Sequence, residues 1–487
     1  MNLQQRIRRG FAFVFLSTAG SRGLSFAAQI VLLRLLEPAD FGALAFGLLV
    51  VNTLGLLHSM GIGEALIFRK EADQQSSDTG LILGVVMGLA LYGLIYATAP
   101  WIALLDKEPE SSPIVQVMRL LGLVVIIQAL AGVPNALLER ELEFKKKFYI
   151  NTLETLVFAV LAVGLALYGH GVWSLVWGQL GGALASCAAA WWLVPWRPRW
   201  QFSWSAAREV IGYGRFVSGA GLVSFLVVNV DDALILRLGG REMMGFYTRA
   251  YQLTNLPVTS ITHIVNRVAF PAYARLKDEG RETNPLYVRL LRGTALLTLP
   301  AALGLACLAE PFILGVLGGK WAPLIPLLPW LALYGFLRSL LSNTGPLFSA
   351  MGVPEAILKI NLVQLGILAL VLYPLIYWNG AWGACIGILL GTLLSAPLAL
   401  KYLNEVAGLD LRSQLEVLRP MWWPGLSMGI ALLGARYAFA AWAPEGQLVE
   451  LFVVGGFGVL VYGGMLYYRE KRLVEEMLAL LKGQVND

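Results

Sequence analysis

The chain is poor in charge. Only 14% of its 487 residues are Asp, Glu, Lys or Arg, against about a quarter in an ordinary soluble domain, while 57% are hydrophobic. A water-soluble globular protein of this length does not keep such a balance. The composition therefore excludes that class and indicates a membrane protein.

Groups that carry enzyme chemistry are also scarce. The chain has three cysteines and three histidines, and the cysteines fall in apolar segments without the spacing of a metal site or a disulfide framework. No Gly-x4-Gly-Lys-[Ser/Thr] phosphate loop, His-Glu-x-x-His motif or Gly-x-Ser-x-Gly motif occurs. We therefore expect no ATP hydrolysis on this chain, no cofactor or metal centre, and no catalytic site.

Long apolar segments, in contrast, are abundant. A helix needs about 20 residues, at a rise of about 1.5 Å each, to cross a hydrocarbon core. About fourteen segments meet this requirement: 11–33, 41–63, 80–105, 113–137, 148–168, 171–194, 212–238, 252–272, 287–317, 324–348, 355–378, 380–403, 419–442 and 447–468. Because they are continuously apolar rather than alternating, a transmembrane β-barrel is excluded. The sequence predicts an all-α polytopic membrane protein with about 14 transmembrane helices.

Positive charge is unevenly distributed among the loops. The net charge is +6, and with the N-terminus placed in the cytoplasm most of the 37 Lys and Arg fall in cytoplasmic segments. Because basic loops are retained on that side of the membrane, both termini are expected in the cytoplasm. Topology accounts for these basic loops, so no nucleic-acid partner is expected.

One membrane hairpin occurs twice in the chain. The pattern Tyr-x-x-Gly-x-Trp-x4-Gly-x3-Gly-x-Leu-x-Ser begins at Tyr168 and returns about 209 residues later at Tyr377. At nearly the same offset, a second echo relates two further pairs: Gly42 with Gly245, and Asn52 with Asn255. Duplicated halves of this kind are typical of transporters. We predict two six-helix lobes, residues 1–205 and 206–405, followed by two extra helices and a cytoplasmic tail in 406–487.

Arginine supplies the charge at mid-membrane. Arg22 and Arg338 lie near the middle of predicted spans 1 and 10. Each would cost about 2.5–3.5 kcal/mol there unless it faced a wet cavity, a carboxylate or backbone carbonyls. Arg119 and Arg436 lie nearer to span ends, where long side chains reach the interface, and Arg267 is intermediate.

Span 8 adds a polar stripe. Asn255, Thr259, Thr262, His263 and Asn266 recur at helical spacings of three and four. We predict that eight side chains line a cationic substrate-binding cavity: Arg22, Arg338, Arg267, Arg119, Asn52, Asn255, His263 and Asn266. The alternative is that the amides bond neighbouring helices and that His263 is a satisfied interior histidine.

Two adjacent carboxylates, Asp231 and Asp232, fall in the outer half of span 7. They either pair with an arginine or take part in ion coupling. A cavity with more fixed positive than negative charge favours an anionic cargo. Arginine suits phosphate because its planar guanidinium donates two parallel hydrogen bonds to it.

Three stretches carry sequence signatures. Residues 34–42 match R-L-L-x-P-x-D-F-G, residues 138–145 match L-x-R-x-L-x-F-K, and residues 229–257 match N-x-D-x3-I…G…G-x-Y-x2-A-Y…P, extended by Val-x-Phe-Pro up to residue 271. Together they resemble the bacterial polysaccharide flippases of the multidrug/oligosaccharidyl-lipid/polysaccharide (MOP) exporter superfamily. The resemblance implies two six-helix lobes and alternating access that moves an undecaprenyl-diphosphate-linked oligosaccharide from the cytoplasmic to the outer leaflet. Such relatives serve O-antigen, capsule or exopolysaccharide assembly.

The same resemblance implies a bacterial cytoplasmic (inner) membrane location, with the polysaccharide polymerase and chain-length machinery as candidate protein partners. Three rival functions stay open. A cation-coupled multidrug exporter of the same fold would want carboxylates rather than arginines in its cavity. A lipid II flippase would share the cationic cavity. A membrane polymerase or ligase would need a large outer loop, whereas the predicted outer loops here are short, so we expect a transporter rather than an enzyme.

Overall fold

A computed structural model describes residues 23–59, 74–107, 109–141, 143–442 and 446–471. Within these ranges every regular element is helical, which confirms the predicted all-α class. The principal helices are α1 (Gly23–Leu35), α2 (Pro38–Ser59), α3 (Gln74–Ala103), α4 (Ile114–Arg140), α5 (Phe144–Leu167), α6 (Val172–Leu193), α7 (Trp204–Asp278), α8 (Asn284–Cys307), α9 (Leu328–Leu341), α10 (Thr344–Met351), α11 (Glu355–Ala407), α12 (Leu411–Trp442) and α13 (Gln447–Arg469).

Seven of the described helices are long and apolar enough to cross a membrane. They are α3, α4, α8, α11 and α13, with Pro38–Gly55 of α2 and Lys145–Leu167 of α5. The chain is therefore a multi-pass helical membrane protein. The 53 residues of α11 would extend about 80 Å, more than twice the ~30 Å of a hydrocarbon core, and the helix is broken at Gly380. The total of fourteen spans stays a prediction.

Two predicted spans are shorter in the structure than the hydropathy indicated. Predicted span 9 (287–317) becomes α8, which ends at Cys307, and predicted span 10 (324–348) divides into α9 and α10. A proline follows each break, and its ring disfavours the helical carbonyl bond four residues earlier. Pro311 follows the end of α8 by four residues, and Pro346 stands four residues after the break at Ser342.

The duplicated hairpin has the same backbone geometry in both copies. In the first copy, α5 and α6 are joined at Gly171, with φ 52° and ψ −134°. In the second, the two limbs of α11 (355–379 and 381–407) meet at Gly380, with φ 57° and ψ −138°. Glycine enters this left-handed region without a Cβ penalty, so the repeat needs glycine at its turn.

The remaining glycines of the repeat bring the two limbs of each hairpin together. A Cβ at Gly178 would lie 2.9 Å from the Cβ of Ala162, and one at Gly387 would lie 2.6 Å from Cδ2 of Leu372. Missing side chains let helices approach closely where only van der Waals packing holds them together in a membrane. The glycines that recur in the sequence therefore make the same helix–helix contact in both hairpins.

The second pair of repeat-related glycines, Gly42 and Gly245, lies where α2 crosses α7, and each glycine packs against the backbone of the other helix. A Cβ at Gly42 in α2 would collide with the carbonyl oxygen of Arg241, and a Cβ at Gly245 would collide with the carbonyl oxygen of Pro38. The repeat offset that relates the glycines also relates Pro38 to Arg241, so the crossing is locally two-fold symmetric. Arg241 is fixed there by Asp106, whose carboxylate lies 3.0 Å from its Nε and is 1% exposed.

The chain divides into two compact units, Met1–Gly245 and Phe246–Asp487. The division falls inside α7, shortly after the non-helical Gly240 that separates its limbs 204–239 and 241–278. The predicted lobe boundary at 205/206 marks where one copy of the sequence repeat is expected to end and the next to begin. It stays a prediction, because the compact units describe packing and not the extent of the repeat. The predicted tail lies largely outside the described residues, which end at 471.

The two C-terminal helices are part of the second unit. Residues of α12 and α13 share one buried cluster with α8, which includes Leu296, Met428, Leu432, Val454 and Tyr462. The Tyr462 hydroxyl donates to the carbonyl of Leu296 across 3.1 Å. Predicted spans 13 and 14 therefore pack as integral helices of this unit.

Candidate functional site

The structure describes only some of the predicted site residues. Arg22 lies outside the described residues. His263, Asn266 and Arg267 lie on the second limb of α7, where the helix is described but their side chains are not. The other predicted residues, on α2, α4, α7 and α9, can be placed.

Arg338 lies in a polar cluster of the second unit. Its Nη1 donates to the hydroxyl of Tyr251 at 2.8 Å and approaches Oδ1 of Asn255 at 3.5 Å. Two of the residues predicted to line the cavity, Arg338 and Asn255, therefore lie side by side, and their role in substrate binding stays a prediction. Tyr251 was not predicted to take part.

Local packing explains how Arg338 reaches this position. Gly335, one helical turn earlier on α9, lies against α7, where a Cβ would be 3.2 Å from Cγ2 of Val258 and 3.6 Å from the carbonyl oxygen of Thr254. Residues three apart share a helix face, so the close approach at Gly335 aims Arg338 at the same helix. The absence of a side chain at Gly335 therefore lets Arg338 come close to α7.

Three tyrosines lie in a row, and two of them, Tyr251 and Tyr334, interact with the guanidinium. The rings of Tyr247 and Tyr251 have centroids 6.2 Å apart, and those of Tyr251 and Tyr334 have centroids 6.0 Å apart. Within the described part of the chain, Nη1 of Arg338 meets Tyr251 and Asn255, and Tyr334 is a further hydrogen-bond partner of the guanidinium. A guanidinium carries five N–H donors, so it has more donors than these three side chains accept.

Asn52 lies in a different polar site, within the first unit. A cavity of about 280 Å³ is lined by Asn52 of α2, Gln128 and Asn135 of α4, Glu154 of α5, and Gln179 and Ser186 of α6, together with aliphatic side chains. We call it the Glu154 cavity. The sequence indicated Asn52 as a polar residue, and the other polar side chains around it were missed because they come from three further helices.

The repeat-related asparagines thus have opposite electrostatic neighbours. Asn255 in the second unit lies beside the guanidinium of Arg338, whereas Asn52 in the first unit shares a cavity with the carboxylate of Glu154. The duplicated scaffold therefore carries one cationic and one anionic polar site. The prediction of a cationic cavity therefore applies to the Arg338 cluster and not to the Glu154 cavity.

Arg119 and the paired aspartates lie elsewhere. The Arg119 guanidinium carbon lies 4.1 Å from the centroid of the Tyr96 ring, a cation–π contact near the start of α4, and Arg119 does not line the Glu154 cavity. Asp231 is 2% exposed and Asp232 is half-buried, both on the first limb of α7. Substrate binding by Arg119 and coupling or pairing by the aspartates stay predictions.

A second, larger cavity lies in the second unit. It measures about 830 Å³ and is lined by α8, α9, α11 and α12, with Leu299, Phe336, Leu400, Trp422 and Ile430 among its walls. Nearly all of its lining is apolar, so it suits hydrocarbon rather than sugar or phosphate. This cavity was not predictable from the sequence, because its lining residues come from four separate helices.

Sequence comparison finds relatives over most of the chain. A family model described as a polysaccharide biosynthesis protein matches residues 31–326. The lipopolysaccharide biosynthesis protein WzxC of Escherichia coli (strain K12) is 26% identical over 400 residues, 81% of this chain and 79% of that protein. The succinoglycan biosynthesis transport protein ExoT of Rhizobium meliloti (strain 1021) is 27% identical over 330 residues, 67% of this chain and 66% of that protein.

Solved structures share the fold. The inward closed conformation of the lipid II flippase MurJ matches with a TM-score of 0.77 at 13% identity, over 94% of this chain and 99% of that chain. An inward-facing multidrug resistance MATE family transporter of the MOP superfamily matches with a TM-score of 0.64 at 18% identity, over 79% and 94%. At these identities the likeness establishes the fold alone, which is that of these transporters, and the predicted division into two six-helix lobes stays a prediction.

Proposed function

This chain belongs to the polysaccharide biosynthesis protein family, and from that premise we propose that it is a flippase for a lipid-linked oligosaccharide. The cargo is an undecaprenyl-diphosphate-linked oligosaccharide, moved by alternating access from the cytoplasmic to the outer leaflet of the bacterial cytoplasmic membrane. The delivered unit serves surface polysaccharide assembly, such as O-antigen, capsule or exopolysaccharide.

The observation that carries this proposal is the half-buried Arg338, which lies beside Tyr251 and Tyr334 and carries more N–H donors than these neighbours accept. A guanidinium is the side chain best matched to a diphosphate, because it donates bidentate, charge-assisted hydrogen bonds. Neighbouring tyrosine hydroxyls can hydrogen bond phosphate or sugar oxygens. The cluster therefore suits the polar junction between lipid and glycan.

The apolar cavity supports the lipid part of the cargo. Its walls, which include Leu299, Phe336 and Trp422, offer hydrocarbon contacts in the same unit as Arg338. An isoprenoid segment buried there would remove apolar surface from water, at about 25 cal/mol per Å². The glycan would find few polar partners on such a surface, so we expect the lipid and the glycan of the cargo to bind at separate places.

Topology and partners belong to the same proposal. Both termini lie in the cytoplasm, the polysaccharide polymerase and chain-length machinery act on the delivered cargo, and the chain is a transporter rather than an enzyme. ExoT, whose name describes a transport protein of succinoglycan biosynthesis, is the kind of relative that this proposal would expect.

One rival has a specific observation in its favour. The carboxylate of Glu154 in its cavity would attract a cation, as a multidrug exporter of this fold requires. Lipid II transport shares the diphosphate chemistry of Arg338 and differs in the glycan. Both rivals predict normal surface polysaccharide in a strain that lacks this protein.

The experiment replaces the chromosomal gene by variants and measures surface polysaccharide and lipid-linked oligosaccharide in the same cells. Arg338→Ala is expected to abolish surface polymer and to accumulate the lipid-linked precursor, because the phosphate loses its charged donor. Arg338→Lys should retain only part of the activity, since lysine keeps the charge without the bidentate geometry.

The matched control is Arg412→Ala, which removes an exposed arginine that pairs with Glu416 at the start of α12. It should leave polymer at the wild-type level. Membrane abundance of each variant is measured by immunoblot, so loss of protein is separated from loss of transport. Normal polymer with Arg338→Ala at normal abundance would contradict the assignment of Arg338, and normal polymer in the deletion strain would contradict the proposed function.

A further inference from the structure

The connection between α6 and α7 is rich in tryptophan and arginine. Residues 192–208, which we call the Trp/Arg segment, contain four of the 15 tryptophans of the chain and three arginines, and they contain no aspartate or glutamate. The segment comprises the last two residues of α6, the extended connection and the first turn of α7. Tryptophan is enriched where a membrane meets water, and arginine suits the phosphates there. The composition therefore indicates a membrane interface.

A buried carboxylate holds the backbone of this segment in place. Asp78, near the start of α3, is 0% exposed, and its Oδ2 accepts the backbone N–H groups of Arg199 at 2.9 Å and of Gln201 at 3.0 Å. Its Oδ1 accepts Nε2 of Gln74, which also donates to the carbonyl of Arg197 at 2.8 Å. Both oxygens of Asp78 are thus occupied by N–H groups of neutral amides. The arginine side chains of the segment keep their charge uncompensated by this carboxylate.

Between the two N–H groups that Asp78 accepts lies a residue with an unusual backbone. Trp200 has a φ of 58°, and within the described ranges it is the one residue other than glycine with a positive φ. Bulky residues rarely adopt this left-handed conformation, and they do so only where the surrounding structure holds them. The Trp200 side chain is nevertheless 70% exposed, so packing inside the protein does not explain why tryptophan stands here. Its ring is therefore expected to contact something outside the protein.

Further aromatic rings of the segment are exposed beside Trp200. Trp192 is 81% exposed, Trp204 is 75% exposed and Phe202 is 40% exposed. The rings of Phe202 and Trp204 meet edge to face, with their centroids 5.2 Å apart. Exposed aromatic rings that lie close together mark an interaction surface, and the indole N–H suits a surface that is apolar on one side and wet on the other.

The arginines give the same surface a positive charge. Arg197, Arg199 and Arg208 are all exposed, and no ion pair among the described residues contains any of them. Three positive charges without a negative charge in the segment attract an anion. The planar guanidinium donates parallel hydrogen bonds that match phosphate oxygens. The charge of the surface is therefore complementary to a phosphate group.

The position of the segment favours a lipid over a soluble partner. The segment follows α6 directly and lies against the start of α3, a candidate membrane span, where the backbone N–H of Ser203 donates to Oγ1 of Thr79 at 3.0 Å. Its rings and arginines therefore lie where an apolar span begins. The sequence predicts this end to be cytoplasmic, and the cytoplasmic leaflet carries the anionic lipids.

We propose that the Trp/Arg segment is a binding surface for anionic phospholipid. Arg197 and Arg199 bind the headgroup phosphate, and Trp200 contacts the lipid at the boundary between headgroup and acyl chains. Asp78 positions the segment without contacting the lipid. This surface is separate from the Arg338 cluster and does not depend on the cargo of the protein.

The test measures lipid binding to the purified full-length protein by native mass spectrometry. Phosphatidylglycerol and phosphatidylcholine with identical acyl chains are the two probes, and wild type is expected to bind phosphatidylglycerol more tightly. The double variant Arg197→Gln with Arg199→Gln should weaken phosphatidylglycerol binding by roughly 25-fold, at about fivefold for each basic residue near an anionic surface. Binding of phosphatidylcholine should change much less, because its headgroup carries no net charge.

Trp200→Gly separates the role of the ring from the stability of the fold. Glycine adopts a positive φ without a Cβ penalty, so this variant should unfold at a temperature no lower than wild type. Loss of the ring should nevertheless weaken binding of both lipids by about threefold or more. A purely structural role of Trp200 would give unchanged lipid binding.

Two exposed residues elsewhere provide matched controls. Arg412→Gln removes an arginine at the start of α12, and Trp378→Ala removes a 74% exposed tryptophan of α11. Both should leave phosphatidylglycerol binding at the wild-type level.

Four results would overturn the proposal: no preference for phosphatidylglycerol in wild type, an unchanged preference in the double arginine variant, unchanged lipid binding in Trp200→Gly, or equal losses in the controls. A surface that binds a cytoplasmic protein instead would give the second and third of these results. Because transport is not measured, the outcomes are independent of whether the flippase function is correct.

Discussion

Replacement of Arg436 by alanine is expected to loosen the two C-terminal helices from the second unit. Arg436 of α12 makes three contacts: its Nε lies 2.9 Å from Oε1 of Glu450, its Nη2 lies 2.7 Å from Oε2 of Glu310, and its Nη1 donates to the carbonyl of Cys307 at 2.9 Å. It thus connects α12, α13 and the end of α8.

Burial sets the magnitude of this effect. The Glu450 side chain is 10% exposed, so removal of its partner leaves a nearly buried, unpaired carboxylate, which typically costs about 3–5 kcal/mol. The Glu310 side chain is 49% exposed, and pairs of that kind contribute about 0–1 kcal/mol. The expected loss in free energy of unfolding is therefore about 3 kcal/mol, with Glu450 as its main source.

The assay is reversible unfolding of the purified protein in mixed micelles, followed by hydrogen exchange of α13. The control Arg412→Ala breaks a pair whose side chains are 86% and 65% exposed and should change little. The double variant Arg436→Leu with Glu450→Leu should recover much of the loss, because no charge then stays buried alone. An Arg436→Ala variant as stable as Arg412→Ala would refute this reasoning.

Two further predictions concern the repeat crossing and the start of α12. Gly42→Ala should lower the free energy of unfolding by about 1–3 kcal/mol in the same assay, because its methyl group would collide with the carbonyl of Arg241. An unchanged free energy of unfolding would contradict the close approach of α2 and α7 at this position. Hydrogen bonds from the Ser413 hydroxyl and backbone N–H hold the pKa of Asp410 below its usual value. This contribution is present at neutral pH and is lost as pH falls through the lowered pKa, so Ser413→Ala should shift the loss of amide protection at the start of α12 to higher pH.

The sequence specified the backbone better than the sites. The duplicated hairpin was visible because Gly171 and Gly380 must adopt the same left-handed conformation, and a positive φ selects glycine in both copies. The end of α8 at Cys307 and the break after Leu341 were missed because hydropathy alone does not register backbone breaks, and a proline lies within five residues of each.

The candidate sites were predictable only in part. Arg338 and Asn255 could be grouped because a guanidinium and an amide are rare in apolar spans. Tyr251 escaped because an aromatic residue at helical spacing is ordinary in a membrane helix. The Glu154 cavity escaped for another reason: its polar groups come from four helices, and only tertiary packing brings them together.

The most direct measurement of the central claim follows the cargo itself. Proteoliposomes that contain an undecaprenyl-diphosphate oligosaccharide in one leaflet are prepared with wild-type protein or with Arg338→Ala, and a membrane-impermeant glycosidase reports the fraction exposed on the other side. Loss of charged hydrogen bonds to phosphate, about 1.5–3 kcal/mol, predicts roughly 10- to 150-fold weaker cargo binding and little transfer by the variant at low cargo concentration. Equal transfer by both proteins, or no transfer by wild type, would contradict the account.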